Sequence, residues 1–282
     1  RRIPARLEFP PPFAGRLLMM TWVYALPAWI LMPLTVILTC LVTGVALYWT
    51  RNRLTRNDLI THNDVASAIL QTLGTVLAVM MSFMVAGVWQ QYDAAGQNTQ
   101  VEASALSDLY HLVDALPQPA RGELQSEVSS YISLVLHDEW PLLEHGGESW
   151  RAHLTAYRLQ DLVTHFKPSS EQASLVQSQA ISYASQFLDA RRQRMRDNAT
   201  GIPNVLWATM LVAGAVTIFF SFYFKVEKPA AQHIMVAALT AVITLIFVLI
   251  AELDYPFRGD IAIHPDAFAQ VFNALHHIGF SN

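Results

Sequence analysis

The sequence predicts an all-α integral membrane protein, with four transmembrane helices and a helical soluble insert between the second and third. Three observations carry this. Residues 26–49, 65–88, 202–224 and 229–251 contain no Asp, Glu, Lys or Arg. Aromatic side chains flank those stretches. Between the second and third, apolar residues recur at three- and four-residue steps, and no stretch alternates as a strand would.

At a 1.5 Å rise per residue each uncharged stretch is about 35 Å long, enough to cross a hydrocarbon core with some tilt. Backbone amides in lipid must pair internally, so each stretch is a helix. Trp22, Tyr24 and Trp29 open the first and Tyr48 and Trp49 close it. Trp89 and Tyr92 end the second, Trp207 opens the third and Tyr223 ends it, at the headgroup level such rings prefer. Pro27 and Pro33 are expected to shorten or kink the start of the first span. The chain thus divides into an N-terminal segment 1–25, spans at 26–92, a soluble domain 93–200, spans at 201–251 and a C-terminal segment 252–282.

Four crossings place both termini and residues 93–200 on one face of the membrane. Basic residues fall on both faces, with Arg191, Arg192, Arg194 and Arg196 beside the larger part. The positive-inside rule then puts the large domain in the cytoplasm.

Within the insert, the second helix is expected to run on past the bilayer through Leu106, Leu109 and Val113 until Pro117 and Pro119 stop it. A second helix covers about 121–138 and closes at Trp140-Pro141; Gly146-Gly147 turns the chain; a third runs from Trp150 to about Phe166. Ser169-Ser170-Glu171 caps a fourth that reaches about Arg196. Residues 93–200 hold fourteen acids and eight bases. The arginines at 191–196 are expected to anchor the domain to anionic headgroups, or else to bind an acidic ligand.

The chain is 53% apolar and only 14% charged, with a formal net charge of −4. A basic patch for nucleic acid is lacking, so no nucleic-acid partner is expected. The lone Cys40 lies inside an apolar run and reads as a packing residue. His137, His145, His153, His165 and the adjacent His276-His277 have no ligand spacing, so neither metal nor cofactor is expected. His233, near the start of the fourth span, is expected to snorkel to water. No motif points to an enzyme.

In the second span Gly74, Ala78, Ser82 and Ala86 fall every four residues. Such a stripe lets helices pack closely in lipid. Alternatively the second span lines the pore of an oligomer, with Gln71, Thr75, Val79, Ser82 and Phe83 around an apolar throat that gates by dewetting. Glu102 and Asp108 follow on the extended helix. They favour cations if they face an axis, unless they pair with the arginines at 191–196. After the fourth span comes a turn containing Asp254, Pro256, Phe257, Gly259 and Asp260.

Gly74 to Phe83, Gln91-Tyr92-Asp93-Ala94, Val101-Glu102-Ala103, Glu139-Trp140-Pro141 and Tyr255-Pro256-Phe257-Arg258-Gly259-Asp260 together resemble a bacterial bestrophin-like family, over nearly the whole chain. The last segment is similar to the Pro-Phe-Gly-acid turn of bestrophins, which are pentameric ion channels lined by their second helices. The resemblance implies a multi-pass inner-membrane homo-oligomer passing inorganic ions, the second span innermost and the soluble helices forming a vestibule. Arg258 interrupts the acid run that calcium control requires in animal bestrophins. The other function carried forward is a non-conducting membrane scaffold or sensor whose acidic helical domain binds a partner.

Overall fold

The computed structural model describes residues 27–53, 63–224 and 228–278. The expectations for residues 1–25, including Trp22 and Tyr24, lie outside these. Nine α-helices are found among the described residues, and no strand. Four are long and apolar enough to cross a membrane: α1 (Ala28–Arg53), α2 (Asn63–Leu112), α7 (Asn204–Phe220, continued by a 3-10 turn) and α8 (Pro229–Leu253).

Helix α1 starts directly after Pro27, whose carbonyl accepts from Ile30 and Leu31. Pro33 falls in the second turn, where few backbone bonds are lost. Helices α1 and α8 run antiparallel in one register. Thr39 Oγ1 meets Thr244 Oγ1 at 3.0 Å, Thr240 donates to Thr43 at 3.4 Å, and Arg51 donates to Gln232 at the far end. Each hydroxyl thus finds a partner on the facing helix. Cys40 packs in this seam, its thiol 3.5 Å from the Ala237 carbonyl.

Helix α2 has 50 residues, about 75 Å. One face is buried throughout: Leu77 and Met81 against Ile243 of α8, and Val88 near Met210 and Ile250. Farther along, Thr99, Leu106 and Leu109 continue it into the soluble core. A steady three-and-four step keeps one face inward across the membrane boundary. α7 closes onto α8 at Gly214, where a Cβ would lie 3.2 Å from the Phe247 ring.

The soluble helices are α3 (Ala120–Leu134), α4 (Trp140–Leu143), α5 (Trp150–His165) and α6 (Glu171–Ala199). The helix expected to close at Trp140-Pro141 does not: after α3 a π turn over Val135–Glu139 leads into α4. Proline is accommodated in the first turn of that new helix. Ser149 and Ser170 cap α5 and α6 by accepting from the amides of Ala152 and Ala173. Helix α9 (Asp266–Ile278), not anticipated above, buries Phe268 and Leu275 in the same core. Tyr131 meets Phe187 edge to face at its centre, ring centroids 4.9 Å apart.

Candidate functional site

Three features draw together the residues singled out in the sequence. The first is a buried ion cluster between α2 and α6. Arg194 donates from Nε and Nη2 to both oxygens of Glu102, at 2.7 and 2.9 Å, and from Nη2 to Glu139 at 2.7 Å. Arg191 takes the other side of Glu139 in a bidentate pair at 2.7 and 2.6 Å. Tyr131 closes the ring, accepting from Arg191 at 2.7 Å and donating to Glu102 at 2.5 Å. Two guanidinium groups balance two carboxylates, as buried charge requires. The Arg194 guanidinium also sits 5.3 Å over the Trp140 ring and 5.6 Å over that of Phe268. Nη1 of Arg194 has no hydrogen bond among the described residues, and the guanidinium gains cation–π contacts instead.

Burial disfavours the Glu139 carboxylate, but Arg194 and Arg191 outweigh it and hold its pKa below the usual range. Burial and the Glu102 charge push the Tyr131 phenol well up.

Of the two readings of Glu102, pairing with the arginines at 191–196 is the one seen, and the headgroup role expected of those arginines is corrected at two of them. Glu102 does not face a vestibule: it is fully buried and neutralised within the chain. Arg191 and Arg194 are equally buried, so they do not reach lipid headgroups. Helical phase explains both, since Glu102 lies three residues from Thr99 and four from Leu106 on the packed face. Asp108 is exposed on the other side.

The second feature is the turn after α8, which joins the membrane helices to the soluble domain. Buried Asp254 accepts from the Ile202 amide at 2.6 Å and from the Trp207 indole at 3.3 Å, fixing the start of α7. Burial raises the Asp254 pKa despite those two donors. Asp260 caps the start of α1 through the Ala28 amide at 3.3 Å. Arg258 reaches the Asn198 carbonyl and lies 4.2 Å over the Tyr255 ring. Tyr92 of α2 donates to Ile261 at 2.8 Å. Pro256 and Phe257 are buried, with Phe257 edge-on to Trp140 at 5.7 Å. Gly259 adopts φ +83°, the left-handed conformation this turn needs.

Glu252, one residue past the fourth uncharged stretch, is the first carboxylate of this acid-rich segment. It is 1% exposed, and neither carboxylate oxygen has a hydrogen-bond partner among the described residues. A charge after an apolar run looks like an ordinary helix exit, so sequence gave no signal.

The third feature is the outward face of α2. Gln71, Thr75, Val79, Ser82 and Phe83 are all exposed, Phe83 at 76%. The stripe expected to pack helices does not do so within this chain. Ala78 and Ala86 are exposed, and a Cβ on Gly74 would meet nothing within 4 Å. The side chains that hold α2 to its own neighbours are the large ones at 77, 81 and 88. Among the described residues no group of three or more His, Cys, Asp or Glu is placed to hold a metal ion.

Four apolar helices, one of them running unbroken into a helical domain and locked there by buried ion pairs, define an all-α membrane protein of bestrophin fold. A crystal structure of a point variant of a bacterial bestrophin homologue from Klebsiella pneumoniae superposes with a TM-score of 0.68 at 12% identity, covering 88% of this chain and 98% of that one. A second crystal structure of that homologue gives 0.66 at 11%, covering 89% and 98%. No curated protein matches the chain. The profile of the Bestrophin-like domain matches residues 36–268, and the chain belongs to that family.

Proposed function

We propose that this chain is the subunit of a homo-oligomeric ion channel in which α2 lines the pore and the soluble domain lies in the cytoplasm. The observation that carries the reading is the split character of α2. Large side chains face the chain's own helices, while the opposite face, from Gln71 to Ala86, has no partner among the described residues. Small and hydroxyl residues there leave room near a symmetry axis. Val79 and Phe83, on adjacent turns, supply an apolar constriction able to gate by dewetting. Membership in the Bestrophin-like family and the bestrophin fold support the same reading.

The experiment is ion flux through liposomes holding the full chain, with oligomeric mass measured in nanodiscs. Phe83→Ala and Val79→Ala should widen the throat and raise the flux. A monomer, or an oligomer that passes no ion under any voltage, overturns the reading. The scaffold alternative keeps one observation in its favour: on α5, Trp150, Leu154 and Tyr157 form an exposed apolar patch, Trp150 at 62%. A co-purifying protein lost with Trp150→Ala, from a non-conducting oligomer, would favour it.

A further inference from the structure

Along the seam between α1 and α8 the paired positions follow one register. Arg51 meets Gln232, Thr43 meets Thr240 and Thr39 meets Thr244. Four residues back along α1 are matched by four forward along α8, as antiparallel helices packed on one face require. Two further steps set Leu31 opposite Glu252. Leu31 is buried and packs with Val248 and Ala251. The polar side chains of the seam find partners, down to Gln232, which also donates to the carbonyls of Phe222 and Phe224. Glu252 is the exception. It is buried opposite an apolar side chain, and neither oxygen meets a donor among the described residues.

The ionisable groups around it are few. Helix α8 carries one other, His233, near its opposite end. Helix α7 has none, and α1 offers no charge between Ala28 and Thr50, only Cys40 and Tyr48 turns away. At this level α2 brings Tyr92 and Asp93, which are engaged with Ile261 and Gln97. The turn after α8 brings Asp254, Tyr255, Arg258 and Asp260. Asp254 accepts from Ile202 and Trp207, while Arg258 lies over Tyr255 and reaches Asn198. Asp260 is the group whose charge bears on Glu252, and it also caps α1 at the Ala28 amide. Glu252 therefore meets repulsion, an apolar neighbour and no donor. An ionised carboxylate stripped of water in such a place costs far more than a neutral one.

We propose that Glu252 is a reversible proton-binding site, neutral while the turn after α8 is docked on the start of α1. Loss of the proton places two like charges, Glu252 and Asp260, at the joint that holds Ala28. Asp260 then gives up the Ala28 amide, and the first turn of α1 frays. The fit between the membrane helices and this turn is thereby tied to pH. It is tight when Glu252 is protonated and loosens as pH rises through its titration. The assignment stands whether or not the chain conducts ions.

The test is infrared difference spectroscopy of the full chain in nanodiscs, titrated from mildly acid to mildly alkaline pH. Hydrogen exchange at the start of α1, corrected for intrinsic base catalysis, is followed in parallel. The wild type should show the carbonyl band of a protonated carboxyl that bleaches as pH rises. Exchange at residues 28–31 should speed up with the same midpoint. Glu252→Gln should fold, lose the titrating band and keep exchange slow at every pH, since an amide copies the neutral acid. Asp254→Asn, the control for the other buried acid of the turn, should keep the titrating band. Asp260→Asn retains a capping oxygen and should move the midpoint to lower pH. A band that is absent, or that never bleaches, over the whole range in which the wild type stays folded overturns the proposal. So does a Glu252→Gln chain that fails to fold or retains the titrating band. Exchange that does not follow the band overturns the coupling to α1.

Discussion

Arg194 grips Glu102 through two hydrogen bonds, Nε to Oε2 at 2.7 Å and Nη2 to Oε1 at 2.9 Å, with neither side chain exposed. The pair ties α6 to the extension of α2 across ninety-two positions of sequence. Removing one partner strands the other charge in a dry core, which costs about 3–5 kcal/mol. Arg194→Ala should therefore melt far below the wild type or fail to fold. Arg194→Lys keeps the charge but loses the fork that reaches both carboxylates, and should fall between. Thermal unfolding followed by tryptophan fluorescence in detergent checks the order; equal melting points for all three proteins would contradict it.

Glu139 gives the acid limb of stability its sign. Its pKa in the fold lies below the usual value, so the unfolded chain takes up the proton first as pH falls. The stabilisation is complete above the ordinary glutamate pKa of about 4.3 and is lost as pH falls through the folded value. Denaturant melts between neutral and acid pH should show this loss. Glu139→Gln should start less stable, with Arg191 and Arg194 left short of charge, and should show a flatter acid limb.

Glu252 is expected to behave in the opposite way. Both oxygens are buried without a partner among the described residues, so the side chain contributes a desolvation cost and no hydrogen bond there. Glu252→Leu should raise stability by about 1–3 kcal/mol. A melting point that drops in this variant means that the carboxylate has a positive role in the fold.

Two glycines in connecting segments should resist a methyl group, for different reasons. Gly259 at φ +83° meets the left-handed penalty, about 1–2 kcal/mol for alanine. Gly146 at φ +74° adds a contact, because its Cβ would press on Arg258 Nη2. Both substitutions should lower the melting point, and Gly146→Ala should also loosen the contact of Arg258 with Asn198. Comparing the two melts, with limited proteolysis near Asn198, distinguishes strain from displacement.

Much of this architecture was legible in the residues. The four spans follow from local composition, since lipid excludes charge from any uncompensated stretch of about twenty residues. The continuation of α2 was visible because Leu106, Leu109 and Val113 keep the helical period past Trp89. Phe268, Val271, Phe272 and Leu275 carry the same periodicity, so α9 too has a local signal. The π turn before Trp140 had no such signal, as its residues suit an α-helix equally.

What the sequence by itself determined is therefore the set of membrane-crossing helices and the helical character of the insert, both products of local hydropathy and period. Tertiary structure alone decided that Glu102 turns inward to Arg194 while Asp108 stays outside, that Thr39 meets Thr244, and that Asp254 and Asp260 hold the starts of α7 and α1. The physical reason is that a carboxylate's role depends on which partner's charge or amide arrives within 3 Å. That is set by the packing of helices far apart in sequence, and no local pattern encodes it.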